Sequence, residues 1–148
     1  MAYNDAVASL DLDHDVHTGN AAAEGPARHG WFLGHFLEER HNLRSTRDVE
    51  MKWGHHAAGE GQDEWTVNRH ATTLSILISG RDRISFPYRE VVLRRPGDYV
   101  IWAPGIPHRW RAEEESVVLT VRWPSVSDDS VVVDNDAVVE ARSLISTR

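Results

Sequence analysis

The stretch GDYVIWAPGIPHRW, residues 97–110, places one histidine just after a rigid bend. An apolar run ends at Pro104-Gly105, and Pro107 immediately precedes His108. Proline fixes φ and glycine accepts backbone angles that other residues avoid, so the bend reverses the chain at a defined place. An imidazole delivered in this way can accept a proton as a general base or ligate a metal ion. His108 is therefore the first candidate catalytic residue.

The strand that follows the bend must orient this histidine. Because side chains alternate across a strand, His108 and Trp110 share one face, and Arg109 and Arg111 share the other. In a closed sheet, this pattern predicts that the histidine and tryptophan face the interior and that the guanidinium groups face water.

The rest of the chain also has the pattern of short strands. Apolar or alternating runs are separated by Gly and Pro; they include WFLGHFL, DVEMKWGHH, EWTVNRH, ATTLSILISG, GRDRISF, EVVLRR, YVIWA, HRWRA and SVVLTVRW. About eight or nine short strands with few helical stretches predict an antiparallel sandwich or barrel. Gly80-Arg81-Asp82, between two of the runs, is predicted to be a hairpin turn.

The length of 148 residues predicts a single folded domain. Residues 1–28 are polar and are predicted to form a flexible N-terminal arm. Residues 29–125 carry the strand series, and residues 126–148 form a C-terminal extension. In this extension we expect a short strand at Val131–Val133 and a helix from Asp136, as N-cap, through Leu144.

Composition excludes several classes of function. The formal net charge of -7 argues against a general affinity for nucleic acid or for an anionic membrane surface. There is no cysteine, which excludes a disulfide scaffold, a thiolate zinc site and a cysteine nucleophile. The N-terminal residues lack the pattern of a secretory signal, and no run of about 18 apolar residues could span a bilayer. We therefore expect a cytoplasmic protein.

The stretch PGDYVIWAPGIPHRW, residues 96–110, resembles the second conserved motif of the cupin superfamily. That motif is a glycine, a strand, a Pro-Gly turn and a histidine, and Gly97, Gly105 and His108 fall at matching spacing. The preceding TTLSILISGRDRISF resembles the strand-turn-strand that closes the first cupin motif. The resemblance covers about residues 31–123. It implies an all-β, single-domain cupin fold, the double-stranded β-helix or jelly-roll barrel.

The resemblance also implies where a metal site would lie. Cupins that bind a metal carry an HxH pair and then a Glu in the first motif, with the Glu seven positions before the closing glycine. Counting back from Gly80 assigns the Glu position to Thr73 and the HxH positions to Thr66 and Asn68 or, one residue earlier, to Trp65 and Val67. In this register three of the four usual ligands are missing, and His108 alone remains.

Other histidines could replace the missing ligands. His70 lies near the degenerate first motif, and His55 and His56 end the preceding strand, where one of them must face inward. A site of His56, His70 and His108 would suit Fe, Mn, Ni or Zn as a divalent ion, because neutral imidazole ligates all of these metals. The alternative at each position is a core or strand-edge histidine satisfied by backbone carbonyls.

A ligand-binding lumen is the second prediction. Trp110 shares a face with His108, and Trp65 occupies an approximate first-motif position. Together with Asn68 and Thr73, these two tryptophans would line a lumen suited to a small, partly apolar molecule held by a few polar contacts.

Three functions stay open on these residues. The first is a small cupin that binds a small molecule together with a mononuclear divalent metal, as in a metal-dependent enzyme acting on a small organic substrate. The second is a metal-free ligand-binding or isomerase-like cupin with His108 as general base. The third is a non-catalytic interaction protein. Cupins resembling this chain commonly pair through an outer sheet, so WFLGHFL and VVLTVRW predict a homodimer.

Overall fold

Short antiparallel strands form the framework of the computed structural model, which describes residues 15–146 and omits the side chains of residues 41–42 and 145–146. The strands are β1 (Trp31–Leu33), β2 (Glu50–His56), β3 (Thr66–Asn68), β4 (Thr72–Ser79), β5 (Asp82–Phe86), β6 (Arg89–Leu93), β7 (Tyr99–Trp102), β8 (Arg109–Ala112), β9 (Ser116–Trp123) and β10 (Ser130–Val132). The helices are α1 (Ala21–Glu24), α2 (Asn135–Ser146) and two 3-10 helices, Gly25–Arg28 and Glu39–Arg44. Residues 1–14 of the predicted arm lie outside the described residues.

The strands form three antiparallel sheets. The largest has the order β1-β2-β9-β4-β7, a second has the order β6-β5-β8, and a third pairs β10 with β3. Strands β5 and β6 form a hairpin, but most other neighbouring strands, such as β2 and β9 or β5 and β8, are far apart in the chain, as in a jelly roll. The predicted all-β, barrel-type fold is confirmed.

The turn after β4 differs from the prediction. Gly80-Arg81 does not close a hairpin, because β4 pairs with β7 and β9 whereas β5 pairs with β6 and β8. The segment instead carries the chain from one sheet to the other. Gly80 has φ +89°, and a Cβ there would lie 2.2 Å from the carbonyl oxygen of Glu115. Only glycine fits this crossing, for reasons of both conformation and space.

The bend before His108 has the predicted form. Gly105 has φ +81°, and its N–H donates to the carbonyl of Asn68 at 2.8 Å. His108 and Thr66 then exchange backbone hydrogen bonds of 2.9 and 3.1 Å. These bonds hold the second motif against β3, so the bend is fixed at both ends.

Strand β2 has its polar side chains on the inner face of the sheet and its apolar side chains on the outer face, the reverse of a usual amphipathic strand. Lys52 and His56 face the space between the sheets, while Met51 and Trp53 face outward. The outer face is apolar because two cross-strand rows cover it, Met51-Val121-Leu74-Ile101 and Trp53-Leu119-Ile76-Tyr99. Strand β9, part of the predicted dimer seam, lies at the centre of this face. The homodimer stays a prediction.

An apolar cluster closes part of the barrel interior. Its buried members come from both large sheets and are Leu77, Ile84, Phe86, Leu93, Trp102 and Val118. Phe86 and Trp102 meet edge to face, with ring centroids 5.4 Å apart, a geometry favoured between aromatic rings. Because this cluster fills only part of the space, the remaining interior is available to polar side chains.

The C-terminal residues contribute structure to the barrel. The strand predicted at 131–133 is β10, one residue earlier, and it pairs with β3. The predicted helix is α2, but its first turn is capped by Asp134, whose Oδ1 accepts the Ala137 N–H at 3.0 Å. Within the described residues, no helix has the length and hydropathy needed to cross a membrane.

Candidate functional site

A cavity of about 310 Å³ lies between the two larger sheets. Its charged and titratable side chains are Lys52, His56, Asp82, His108 and Arg122. Three tryptophans, Trp31, Trp102 and Trp110, form much of its wall. The cavity thus combines aromatic surface with an unusual number of ionisable groups for an interior space.

Strand register accounts for this arrangement. Lys52 lies opposite Thr120 in β9, and Thr120 lies opposite Ser75 in β4, so one polar row crosses the inner face of the large sheet. Asp82 and Trp110 come from the facing sheet. Inward positions recur every second residue along each strand, which is why widely separated sequence segments supply one site.

His108 is buried and faces the cavity together with Trp110, as predicted. Its Nδ1 lies 3.0 Å from the carbonyl oxygen of Ile106, so Nδ1–H donates there and Nε2 is left as an acceptor. Nε2 is 3.4 Å from Thr66 Oγ1. Burial lowers the pKa of His108 to about 4, with the Ile106 hydrogen bond acting in the opposite direction. The ring is therefore neutral and only weakly basic at neutral pH.

His56 is a second neutral imidazole. Its ring centroid lies 4.2 Å from that of Trp110, and its Nδ1 is 3.5 Å from Glu60 Oε2 without hydrogen-bond geometry. Burial, and then the positive charge of Lys52, lower its pKa, although Glu60 opposes the change.

Lys52 projects from the middle of β2 into the cavity. Its Nζ lies 5.6 Å from the ring centroid of Trp110, and no carboxylate among the described residues forms an ion pair with it. Burial, and then the charge of Arg122, lower its pKa, while Glu60 and Asp82 act in the opposite direction. Its amine is therefore easier to deprotonate than that of a lysine in water.

Asp82 begins β5 and is 3% exposed. Burial raises its pKa to about 7; Lys52 opposes the change and Glu113 adds to it. A carboxyl group with this pKa exchanges protons near neutral pH, which is the range that suits general acid or base catalysis.

Arg122 lies beside Lys52 on the same wall. Its guanidinium group lies over Trp31, 4.8 Å from the ring centroid, and Nη1 is 3.6 Å from Glu50 Oε2. Burial lowers its pKa, and Glu50 opposes that effect.

Unpartnered polar atoms concentrate at the cavity. Among the described residues, six buried side-chain atoms have no hydrogen-bond partner. Four belong to cavity-lining residues, namely His56 Nδ1, Asp82 Oδ1, Trp102 Nε1 and Arg122 Nε. The other two are Asn68 Oδ1 and Thr73 Oγ1. Buried polar groups are nearly always satisfied because leaving one unpaired costs about 1–3 kcal/mol, so these atoms call for a partner, either ordered water or a polar ligand.

The predicted ligand-binding residues are divided between two places. Trp110 lines the cavity. Trp65, Asn68 and Thr73 are buried but do not line it. Trp65 instead packs under the guanidinium group of Arg109, which is 4.4 Å from its ring centroid. The binding and catalytic roles of these residues stay predictions.

The structure does not bring the three predicted metal ligands together. His56 and His108 line the cavity, but the His70 side chain is 66% exposed in the β3–β4 turn. Its backbone N–H and its Nδ1 lie 2.7 and 2.9 Å from Asp129 Oδ1, and these contacts hold it at the surface. The three histidines therefore do not converge on one point in this structure, and a metal-binding role for them stays a prediction.

The positions that correspond to the metal ligands of cupins do not fit a metal ion either. They hold two hydroxyls, one amide and the imidazole of His108, whereas Fe, Mn, Ni and Zn sites in proteins rely on imidazole, carboxylate or thiolate ligands. No group of three or more His, Cys, Asp or Glu residues in the described part of the chain could hold a metal ion.

Sequence reasoning missed Lys52, Asp82 and Arg122 as site residues. One signal was available: Lys52 is the single lysine of the chain. Lys52 lies between the apolar residues Met51 and Trp53, and this pattern did not show which face of the strand points inward.

Comparisons with known proteins bear on the fold. No protein-family model matches the sequence, and no curated protein matches it. Among solved structures, the DMSP lyase DddQ from Ruegeria pomeroyi is 17% identical, with a TM-score of 0.52 over 62% of this chain and 46% of the lyase. The match thus spans less than half of the lyase's length.

Two further structures are similar over the strand region. TT1209 from Thermus thermophilus is 19% identical, with a TM-score of 0.50 over 55% of this chain and 78% of that protein. A cupin superfamily protein from Desulfitobacterium hafniense is 18% identical, with a TM-score of 0.49 over 55% of this chain and 72% of the other. At these identities the similarities bear on the fold alone, and over the matched region the chain has the β-barrel fold of DddQ and TT1209.

Proposed function

We propose that the barrel lumen binds a small organic carboxylate and does so without a metal ion. The observation that carries this proposal is the pair of cations, Lys52 and Arg122, on one wall of a cavity rich in unpartnered polar atoms. The alternatives of a metal-dependent enzyme and of an interaction protein with a packed interior are less well supported.

The charge balance favours an anionic ligand. The positive charge of Arg122 lowers the pKa of Lys52, so the two cations repel one another in a partly desolvated space. Glu50 forms an ion pair with Arg122 but none with Lys52 among the described residues, and the two cavity imidazoles are neutral near pH 7. A carboxylate between the two cations would relieve this repulsion and supply an acceptor to Arg122 Nε.

The cavity's size and walls limit the ligand further. A volume of about 310 Å³ is near the lower end of the range for small-molecule sites, which is roughly 300–1,000 Å³. The indole surfaces suit an apolar or aromatic body behind the carboxylate. We therefore favour a monocarboxylate of the size of benzoate.

An isomerase-like activity is a second candidate, favoured by Asp82. The sequence assigned the general base to His108, but a pKa of about 4 makes that ring a weak base. Asp82, with a pKa of about 7, is better suited to exchange a proton with a bound molecule at neutral pH.

Binding of benzoate to EDTA-treated protein tests the first proposal. Indole fluorescence and calorimetry should show one saturable site. Lys52→Met should weaken binding by about tenfold or more, because one cation contributes on the order of 1.4 kcal/mol or more to such a contact. Arg95→Met, which removes a side chain that is 87% exposed, is the matched control and should bind like the parent.

Two results would contradict the proposal. One is the absence of saturable benzoate binding to the folded parent protein. The other is equal affinity in Lys52→Met and Arg95→Met, with folding of both confirmed by circular dichroism.

A further inference from the structure

The single lysine of this chain lies inside the barrel. All other basic side chains of the sequence, apart from its histidines, are arginines. The two residues differ in chemistry, since a lysine amine can lose its proton and act as a nucleophile whereas a guanidinium group stays charged. The lumen therefore contains the only lysine nucleophile of the protein.

The surroundings of Lys52 suit a reactive amine. Its Nζ faces the Trp110 ring at 5.6 Å, and no ion pair holds it in the described part of the chain. Burial and the neighbouring charge of Arg122 lower its pKa, which raises the fraction of neutral amine. A lysine that is desolvated beside another cation is activated in this way for attack on carbonyl groups.

An acid group faces the same cavity from the opposite sheet. Asp82 lines the cavity, and its Oδ1 has no hydrogen-bond partner. No salt bridge joins Asp82 to Lys52 among the described residues, although each affects the other's pKa. A molecule in the cavity can therefore lie between the amine and the carboxyl group.

Arg122 is placed to hold a carboxylate next to the reacting carbon. Lys52 pairs with Thr120, and Arg122 is two residues further along β9. Such diagonal neighbours on one face of a sheet are about 7–8 Å apart at the backbone. Long side chains from these positions can reach adjacent atoms of one small ligand.

We propose that Lys52 forms an imine with a small 2-oxo acid, the carboxylate of which pairs with Arg122. This inference rests on the proposed function, because it requires a carboxylate in the lumen. The ligand would then carry a carbonyl group next to its carboxylate, and Lys52 would react with it covalently.

The reaction balances with groups that line the cavity. The lone pair of neutral Nζ attacks the carbonyl carbon, and a proton passes from nitrogen to the former carbonyl oxygen to give a carbinolamine. The protonated carboxyl group of Asp82 then donates its proton to the hydroxyl group as the C–O bond breaks. Water leaves, an iminium cation remains on Lys52, and Asp82 becomes a carboxylate that faces this cation.

Reductive trapping with pyruvate tests the inference on the full chain. Cyanoborohydride converts the iminium to a stable secondary amine, which intact-mass measurement and peptide mapping detect. The α-amino group at the N-terminus is the only other primary amine and serves as an internal reference. We expect saturable modification of Lys52 at least about tenfold faster than that of the reference amine, with competition by benzoate.

Two variants separate covalent chemistry from binding. Lys52→Arg keeps the cation but not the nucleophile, so it should lose the adduct at position 52 while it binds benzoate more tightly than Lys52→Met does. Asp82→Asn should slow trapping at saturating pyruvate by about tenfold or more, since it removes the proton donor. Acetone, a ketone without a carboxylate, should label Lys52 no faster than the reference amine.

The outcomes distinguish this inference from the proposed function. If the parent binds benzoate but the Lys52 peptide is labelled no faster than the N-terminus, the imine inference is overturned and the binding proposal stands. If acetone labels Lys52 as fast as pyruvate, the assignment of a 2-oxo acid is overturned. If neither benzoate nor pyruvate engages the folded parent, both proposals fail. The parent measurement is sufficient even if a variant does not fold.

Discussion

Two sides of the same lumen differ sharply in chemistry. The side next to the cupin-like motif carries His108, a neutral imidazole whose backbone exchanges hydrogen bonds with that of Thr66. The side formed by β2, β9 and β5 carries Lys52, Arg122 and Asp82, all with pKa values moved by burial. The comparison teaches that a motif can preserve a backbone bend while the ionisable groups lie on other strands.

The largest effect we predict comes from the charged side. The folded protein raises the pKa of Asp82 from 3.8 to about 7, so folding favours its protonated form. The stabilisation is complete below about pH 4 and is lost as the pH rises through 7. Asp82→Asn should therefore match the parent at low pH and exceed its free energy of unfolding by up to ~4 kcal/mol above pH 7.

Urea unfolding at several pH values between about 4 and 8.5 measures this difference. Asp98→Asn is a suitable control, because Asp98 is only partly buried and its pKa is lowered by backbone hydrogen bonds from Arg95 and Arg94. Its effect should have the opposite sign. If the difference in free energy of unfolding between Asp82→Asn and the parent does not widen with pH, the raised pKa of the buried Asp82 carboxyl group is contradicted.

The motif side should respond to pH in the opposite direction. Burial lowers the pKa of His108 from 6.5 to about 4, so the neutral ring contributes stability above pH 6.5 that is lost as the pH falls towards 4. This loss amounts to up to ~3 kcal/mol in the parent. His108→Asn should abolish it, so its unfolding free energy should depend less on pH between about 6.5 and 4.

The same urea series checks the His108 prediction, with His55→Asn as control because the side chain of His55 is 64% exposed. An unchanged acid slope in His108→Asn would mean that the ring is not held neutral by burial. Opposite pH dependences in Asp82→Asn and His108→Asn would establish the contrast between the two sides of the lumen, and equal dependences would contradict it.

A smaller effect concerns the aromatic walls. Trp110 lines the cavity, whereas Trp65 packs under Arg109 away from it. Trp110→Leu should weaken benzoate binding by about fivefold, since an aromatic contact contributes on the order of 1 kcal/mol. Trp65→Leu should leave the affinity within about twofold of the parent. Calorimetric titration checks both, and equal losses in the two variants would contradict the placement of the ligand against Trp110.

The smallest predicted effect is that of added metal. The family's ligand positions hold Thr66, Asn68 and Thr73 beside His108, so specific binding of a divalent ion should be weak. Fe, Mn, Ni or Zn at micromolar concentration should raise the melting temperature of EDTA-treated protein by less than about 1 °C. A saturable increase of several degrees with one of these ions would overturn this interpretation.

Local patterns predicted much of this molecule. The alternation around His108 and the Pro-Gly bend follow from backbone sterics and strand geometry, and both were visible in a short window of sequence. Gly80 was recognised as a turn, but which sheet the next strand joins depends on its partners β6 and β8, which lie further along the chain. The hairpin prediction was wrong for that reason.

The site was harder to predict than the fold. His70 is fixed at the surface by Asp129, a residue 59 positions away, so its own neighbourhood gives no indication of its exposure. Asp82 resembles an ordinary turn residue until β5 is placed across the cavity from β2. The preference for charged residues on the inner face of β2 runs against the usual burial of apolar side chains, and only the paired register reveals it.

The pKa of the Lys52 amine is the most direct test of the account. Labelling of lysine with 13C and 15N gives a single side-chain resonance, because the chain has one lysine. We predict a titration midpoint below 10.5 and a shift of the same resonance when benzoate is added. A midpoint at or above 10.5, with a resonance that does not respond to benzoate, would show that Lys52 lies in water and would contradict the proposed site.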